Sequence, residues 1–158
     1  MSVSKRVNAI ITALSLTFSL VITSVAASEN ILTASLIQDV EQRQAAFSQI
    51  ETQQKQIDKA LGKSSPNWQQ LEVLSSELAA NSASLQHLFV SGSQFDSKAK
   101  GKVWDDNMQF KAALEKMNNS FIKMDTAIQQ QDKRTAKDAL KQANNTCRNC
   151  HRQYRSRW

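Results

Sequence analysis

Close to the end of the chain, Cys147-Arg148-Asn149-Cys150-His151 brings two thiols and an imidazole within five residues. The spacing C-x-x-C-H is the attachment signature of c-type haem. On a helix, Cys147, Cys150 and His151 fall at i, i+3 and i+4 and share one face. Thiols so placed can add to the two vinyl groups of haem while the imidazole reaches the iron from the same side.

Two other chemistries use the same residue types. A C-x-x-C pair can close a disulfide or act as a thioredoxin-like redox pair, but the latter needs a βαβ setting, and the surrounding sequence has no such pattern. Zinc needs four ligands. Cys147, Cys150, His151 and the distant His87 make the count, but adjacent Cys150 and His151 on a helix are poorly spread for a tetrahedral site.

The chain has 158 residues and a formal net charge of +6. Residues 1–27 read as a secretory signal. Lys5 and Arg6 form a charged start, an apolar run extends from Val7 to Ile22, and Val25-Ala26-Ala27 offers small residues for cleavage. The apolar run has polar breaks, which suit a signal better than a membrane anchor of about 20 clearly apolar residues. Removing Lys5 and Arg6 with no acid lowers the net charge to +4. That balance does not argue for nucleic acid and mildly favours an acidic partner surface. The expected mature chain, residues 28–158, is long enough for one domain with its own core. No later stretch is apolar enough to span a membrane. The only two cysteines are those of the motif, so an exported chain of this kind has no disulfide framework.

The remaining pattern is helical. Over residues 31–61, Leu36, Val40, Arg43, Phe47, Ile50, Gln54, Ile57 and Leu61 alternate steps of four and three, an a/d stripe with two polar members. Gly62 is placed to cap it. A second helix over residues 66–90 is expected to start with Pro66 behind Ser65 as N-cap. Its buried face includes Trp68, Leu71, Leu74, Leu78, Leu85, Leu88 and Phe89. Residues 91–102 read as a long loop. A third helix over residues 103–130 carries Phe110, Leu114, Met117, Phe121, Met124 and Ile128. A turn near Asp132 and a capping box from Thr135 to Asp138 introduce the fourth, with Ala136, Leu140, Ala143, Cys147, Cys150 and Tyr154 on one stripe. Four amphipathic helices with short first and last turns predict an all-α, antiparallel up-down-up-down bundle carrying covalent haem. Two glycosylation patterns, at Asn118 and Asn144, fall inside predicted helices and read as accidental.

Cys147-x-x-Cys150-His151-x-x-Tyr154-Arg155 at the end of a four-helix chain resembles the cytochrome c′ family, and Arg43-Gln44-Ala45-Ala46-Phe47 is similar to its first-helix pattern. The resemblance implies one haem c whose iron is held by His151, with a first-helix residue facing the iron from the other side. That position is assigned to Ile50, which cannot ligate and lies on the buried stripe. Met117 and Met124 fit an ordinary core stripe, Met108 lies on the same helix, and His87 reads as solvated. Arg43 either pairs with a haem propionate or snorkels to solvent. Gln54 either edges the haem pocket or reaches water, and the latter is expected. Arg155 is expected near His151, where the family has an arginine.

The implied function is periplasmic electron transfer, binding of nitric oxide or carbon monoxide, or both, with redox proteins as partners and a homodimer possible. The chain is read as a carrier and not an enzyme, because distal donors for acid–base work are lacking; nitric oxide reductase-like activity is the one catalytic possibility. Two alternatives stay open: a six-coordinate low-spin electron carrier of the same fold, and a non-haem exported helical protein with a C-x-x-C disulfide. An Ile50→Met substitution should push the iron toward six-coordination, read as a high-spin to low-spin change in the optical spectrum. A ferric protein already low-spin at neutral pH would contradict the five-coordinate reading.

Overall fold

The computed structural model describes the backbone of residues 4–157 and the side chains of residues 33–157. The side chains of residues 1–27, read as a signal, lie outside the described residues. The chain divides after Leu36, and the second unit, Ile37–Trp158, contains the core. Among the described residues no helix is long and apolar enough to cross a membrane.

The helices are α1 (Ser4–Gly62), α2 (Trp68–Ser84), α3 (Lys102–Asp105), α4 (Asn107–Gln129) and α5 (Lys133–Tyr154). A 3-10 turn, Leu85–His87, extends α2. Contacts between helices run in opposite senses along each pair. Gln54 of α1 meets Asn144 of α5 at 3.4 Å, while Lys133, at the start of α5, reaches the carbonyl of Lys63 just beyond the end of α1. Ser75 donates to Asp125 at 2.5 Å, and Gln86, farther along the chain, reaches back to Lys111. Gln53 of α1 bonds both Glu77 and Asn81 of α2. The result is the expected antiparallel bundle, with α1 between α2 and α5 and α4 opposite.

The predicted stripes are the buried faces. Val40, Arg43, Ile50, Ile57 and Leu61 of α1 are buried, as are Leu71 and Leu78 of α2. Phe110, Leu114, Met117, Phe121, Met124 and Ile128 of α4 form the largest contribution from one helix. On α5 the buried residues are smaller: Ala136, Ala139 and Ala143 with Leu140. Small side chains let α5 approach its neighbours closely along that half.

Several expected boundaries differ. α2 starts at Trp68, and its N-cap is Asn67, whose carbonyl oxygen accepts from the Gln70 N–H at 3.1 Å. Pro66 therefore precedes the helix, because the Asn side chain supplies the cap acceptor. The third expected helix is two: at Asp106 the backbone leaves the helical region (φ −120°, ψ 47°), with Asn107 donating back to the Val103 carbonyl. This break accompanies burial of Val103 and a bond from Trp104 Nε1 to the Val90 carbonyl at 2.9 Å. Gly62 is the last residue of α1, and its φ is not positive. Asp132, not Thr135, caps α5, accepting from the Thr135 N–H at 3.0 Å. The Thr135 side chain first, and then this backbone bond, hold the Asp132 carboxyl below its usual pKa.

The α4–α5 turn explains the last correction. Gln131 has φ 56°, Gln131 N–H donates to the Ile128 carbonyl at 2.9 Å, and Asp132 N–H donates to the Ala127 carbonyl at 2.8 Å. This is a Schellman closure, usually built on Gly, and it delivers Asp132 directly to the cap of the next helix. Gln131→Gly should therefore stabilise the protein by about 1 kcal/mol, by relieving the left-handed conformation of an L residue. Phe121→Ala, at a fully buried site, should cost about 3–5 kcal/mol. Chemical denaturation of both variants checks the pair. The cap contribution of Asp132 should be present above the ordinary aspartate pKa and lost as pH falls through its depressed folded value.

Candidate functional site

Beyond the alanines, α5 stops packing tightly and its face opens onto a cavity of about 610 Å³. That size is usual for cofactor-sized ligands. α1 contributes Arg43, Phe47, Ile50 and Gln54 to the walls, α4 contributes Phe110, Leu114 and Met117, and the loop after α2 contributes Ser97, Lys98 and Ala99. α5 contributes Thr146, Cys147, Cys150, His151 and Tyr154, followed by Arg155. All six residues expected at the site, Cys147, Cys150, His151, Arg43, Ile50 and Arg155, thus line one cavity.

Both cysteines are free thiols, partly buried. Cys147 Sγ lies 3.6 Å from Met117 Sδ. Burial pushes the Cys147 thiol up, partly offset by a hydrogen bond from Gln54. Cys150 is pushed up to about 11, first by burial and then by Cys147. His151 is exposed on the helix. Partial burial lowers its pKa, the Arg155 guanidinium lowers it further, and Glu51 opposes them. The imidazole is thereby held toward its neutral form, the one with a lone pair for a metal.

Arg43 is the most unusual wall residue, because it is 3% exposed and makes no carboxylate pair within 4 Å. Its guanidinium donates to Ser93 Oγ at 2.7 Å, to the Ser93 carbonyl, and to the Leu88 carbonyl at 3.3 Å. It also lies 5.0 Å from the centre of the Phe89 ring and 5.8 Å from that of Trp104. Burial lowers its pKa and Asp39 opposes this. The snorkelling alternative is therefore corrected: the stem does not carry the charge to solvent, because main-chain acceptors and two aromatic faces receive it inside.

Gln54 is a second correction. It edges the cavity, bonded to Asn144 and to Cys147. Phe47, on the α1 stripe, is also a wall, with its ring edge-on to Phe89 at 6.3 Å. Ser93 escaped notice altogether: it lies in the loop, fully buried, and nothing local in the sequence marks it as the acceptor for an arginine fifty residues away. Of the other donors considered, Met108 is 81% exposed and His87 is exposed on the 3-10 turn, so neither reaches the cavity and no four-ligand zinc set forms with His87.

Arg155 follows the end of α5 and lines the cavity. Its N–H donates to the His151 carbonyl at 3.2 Å, and it pairs in an isolated antiparallel bridge with Ala99. Two unpaired thiols, an imidazole held neutral and a wall of Ile50, Phe110, Leu114 and Met117 fit a haem attached along α5.

The family model described as Cytochrome C' matches residues 38–155. The chain belongs to the cytochrome c′ family. Among solved structures, it resembles cytochrome c′ from Rubrivivax gelatinosus at 25% identity and TM-score 0.69, covering 75% of this chain and 94% of that one. A nitric oxide complex of a point variant from Alcaligenes xylosoxidans matches at 20% identity and TM-score 0.73, covering 78% and 97%. Cytochrome c′ from Thermochromatium tepidum matches at 18% identity and TM-score 0.70, covering 75% and 95%. A search of curated proteins returns no match. Membership in the cytochrome c′ family implies a haem-binding c-type cytochrome, which agrees with the chemistry of the cavity.

In polypeptide without haem, the raised thiol pKa values predict slow alkylation by iodoacetamide at pH 7. The rate at Cys150 should climb about tenfold per pH unit until the pH passes about 11. Fast labelling at neutral pH would mean that the thiols are not buried as described.

Proposed function

We propose that this cytochrome c′ is an exported, periplasmic monohaem protein that carries electrons, binds nitric oxide or related diatomic gases, or does both, without catalysing turnover. Cys147 and Cys150 would hold the haem covalently, and His151 would supply a nitrogen to its iron. The observation that carries the reading is that these three residues wall the same cavity as the apolar faces of Phe47 and Ile50.

When bound, the haem supplies a one-electron couple and an iron atom able to take a small ligand. The chain's own contributions follow from the walls. Thiols protonated at neutral pH and an imidazole held toward neutrality suit attachment and ligation. Phe47, Ile50, Phe110 and Leu114 exclude water and offer no lone pair. They favour small apolar gases over anions, and they provide no acid or base for oxygen activation. Arg43 is kept in place by Ser93 and Leu88 with part of its donor set unused, which suits a propionate at the cavity edge. Arg155 and the bridge to Ala99 hold the far end of α5 against the loop. The nitric oxide complexes of Alcaligenes xylosoxidans cytochrome c prime variants support the gas-binding half.

A competing six-coordinate reading would use Met117, a sulfur inside the cavity. Its contact with Cys147, a residue that would tie the haem covalently, argues against its serving the iron as well.

Matured protein should carry the mass of one haem, show a Soret band, and lose one thioether link in Cys147→Ser. The reduced form should bind carbon monoxide and nitric oxide, with faster entry in Ile50→Ala or Phe47→Ala. Colourless matured protein would overturn the reading, and a reduced form that refuses carbon monoxide would favour the six-coordinate carrier.

A further inference from the structure

The bridge that closes the cavity also brings two cationic segments side by side. Lys100 N–H donates to the Tyr154 carbonyl at 2.9 Å, and Ser156 N–H donates to the Lys98 carbonyl at 2.8 Å. This aligns Lys98, Lys100 and Lys102 with Arg152, Arg155 and Arg157. Lys100 Nζ donates to the Arg152 carbonyl at 3.2 Å, and Lys102 Nζ lies 5.7 Å from the centre of the Tyr154 ring. All but Lys100 are exposed.

The nearby acids do not neutralise the group. Asp96, Asp105 and Asp106 balance the three lysines in number, and Glu51 of α1 feels the charge of Arg155, but the segment 148–157 has four arginines and no carboxylate of its own. Among the described residues the one ion pair within 4 Å is Lys55 with Glu51. Unpaired like charges held together by backbone bonds repel one another, so the arrangement does not serve stability. Lys98 and Arg155 also line the cavity. Phe95, three residues from Lys98 and therefore within about 10 Å of it along the chain, is 86% exposed. An exposed aromatic beside a charged rim is the make-up of a docking surface.

We infer that this face, built from residues 95–102 and 152–157, docks an acidic redox protein whose carboxylates meet the six cations, two of which, Lys98 and Arg155, line the cavity. The inference rests on the proposed function, because the face matters only if the cavity holds the redox group. A protein fits better than an anionic membrane. Only Arg152 lies on a long helix; Lys102 starts the four-residue α3 and the other four lie outside helices, so the cations do not make the polar face of an amphipathic helix of the kind that lies in a lipid surface.

The test uses the matured, haem-loaded protein. Titration with poly-L-glutamate at low salt should shift the amide resonances of residues 95–102 and 152–157 and leave those around Lys111, Lys116 and Lys123 unmoved. Lys102→Glu with Arg157→Glu, two positions outside the cavity wall, should abolish the shifts while the Soret band and helical content stay unchanged. Oxidation by ferricyanide, in which one electron leaves the ferrous protein and yields ferrocyanide, should slow several-fold with added salt. The cationic oxidant tris(phenanthroline)cobalt(III) should show the opposite trend. Shifts spread over all lysines, rates indifferent to salt, or tight binding to phosphatidylglycerol vesicles at physiological salt with no response to poly-L-glutamate would each overturn the inference alone. Matured protein without haem would overturn the proposed function and this inference with it.

Discussion

The constraint on which the structure depends is that one helix must do two incompatible things along a single face. α5 has to pack tightly to complete the bundle, and it has to leave room for a large planar group beside its thiols. The chain separates the tasks along the helix axis. Ala136, Ala139 and Ala143 are fully buried in the first half, where small side chains permit close approach. From Thr146 onward the same face carries Cys147, Cys150 and Tyr154 against a cavity. The antiparallel order then dictates which residues face that cavity: the later part of the described α1, the first half of α4, and the loop that crosses the open end.

The open end would be the weak part of such a bundle, and it is where the polar interactions are concentrated. Arg43 reaches out of the α1 stripe to Ser93 and Leu88, beside the rings of Phe89 and Trp104. Phe89 in turn stacks edge-on with Phe47 and Phe110, and Phe110 with Tyr154. The rings join α1, the loop, α4 and α5 around the rim. A buried cation without a carboxylate is tolerable because acceptors and ring faces replace its lost water. The bridge between Ala99 and Arg155 completes the enclosure from the other side. Cavity shape, thiol protonation and imidazole charge all follow from this partial burial.

Much of this was legible from residue order. The four-and-three spacing of Val40, Ile50, Ile57 and Leu61, and of Phe110 through Ile128, reports burial directly, since a helix presents those positions to one side whatever packs there. The motif at Cys147 needed no tertiary information to suggest its chemistry, because i, i+3 and i+4 geometry is local. Boundaries were less legible. Asn67 and Asp132 took the caps from Ser65 and Thr135 because the turn preceding each helix decides which side chain meets the first free N–H groups. For α5 that turn is a left-handed Gln131 with no glycine to mark it.

What residue order alone determined, then, is the set of helices, their buried faces and the grouping of two thiols with an imidazole, all consequences of contacts within a few residues. Only the tertiary structure decided that Arg43 stays inside, that Gln54 borders the cavity, that Met117 touches Cys147, and that the third expected helix breaks at Asp106. Each of these depends on a partner on another element, thirty to ninety residues away in most cases, and the energy of a polar group on an apolar stripe is set by whether such a partner arrives.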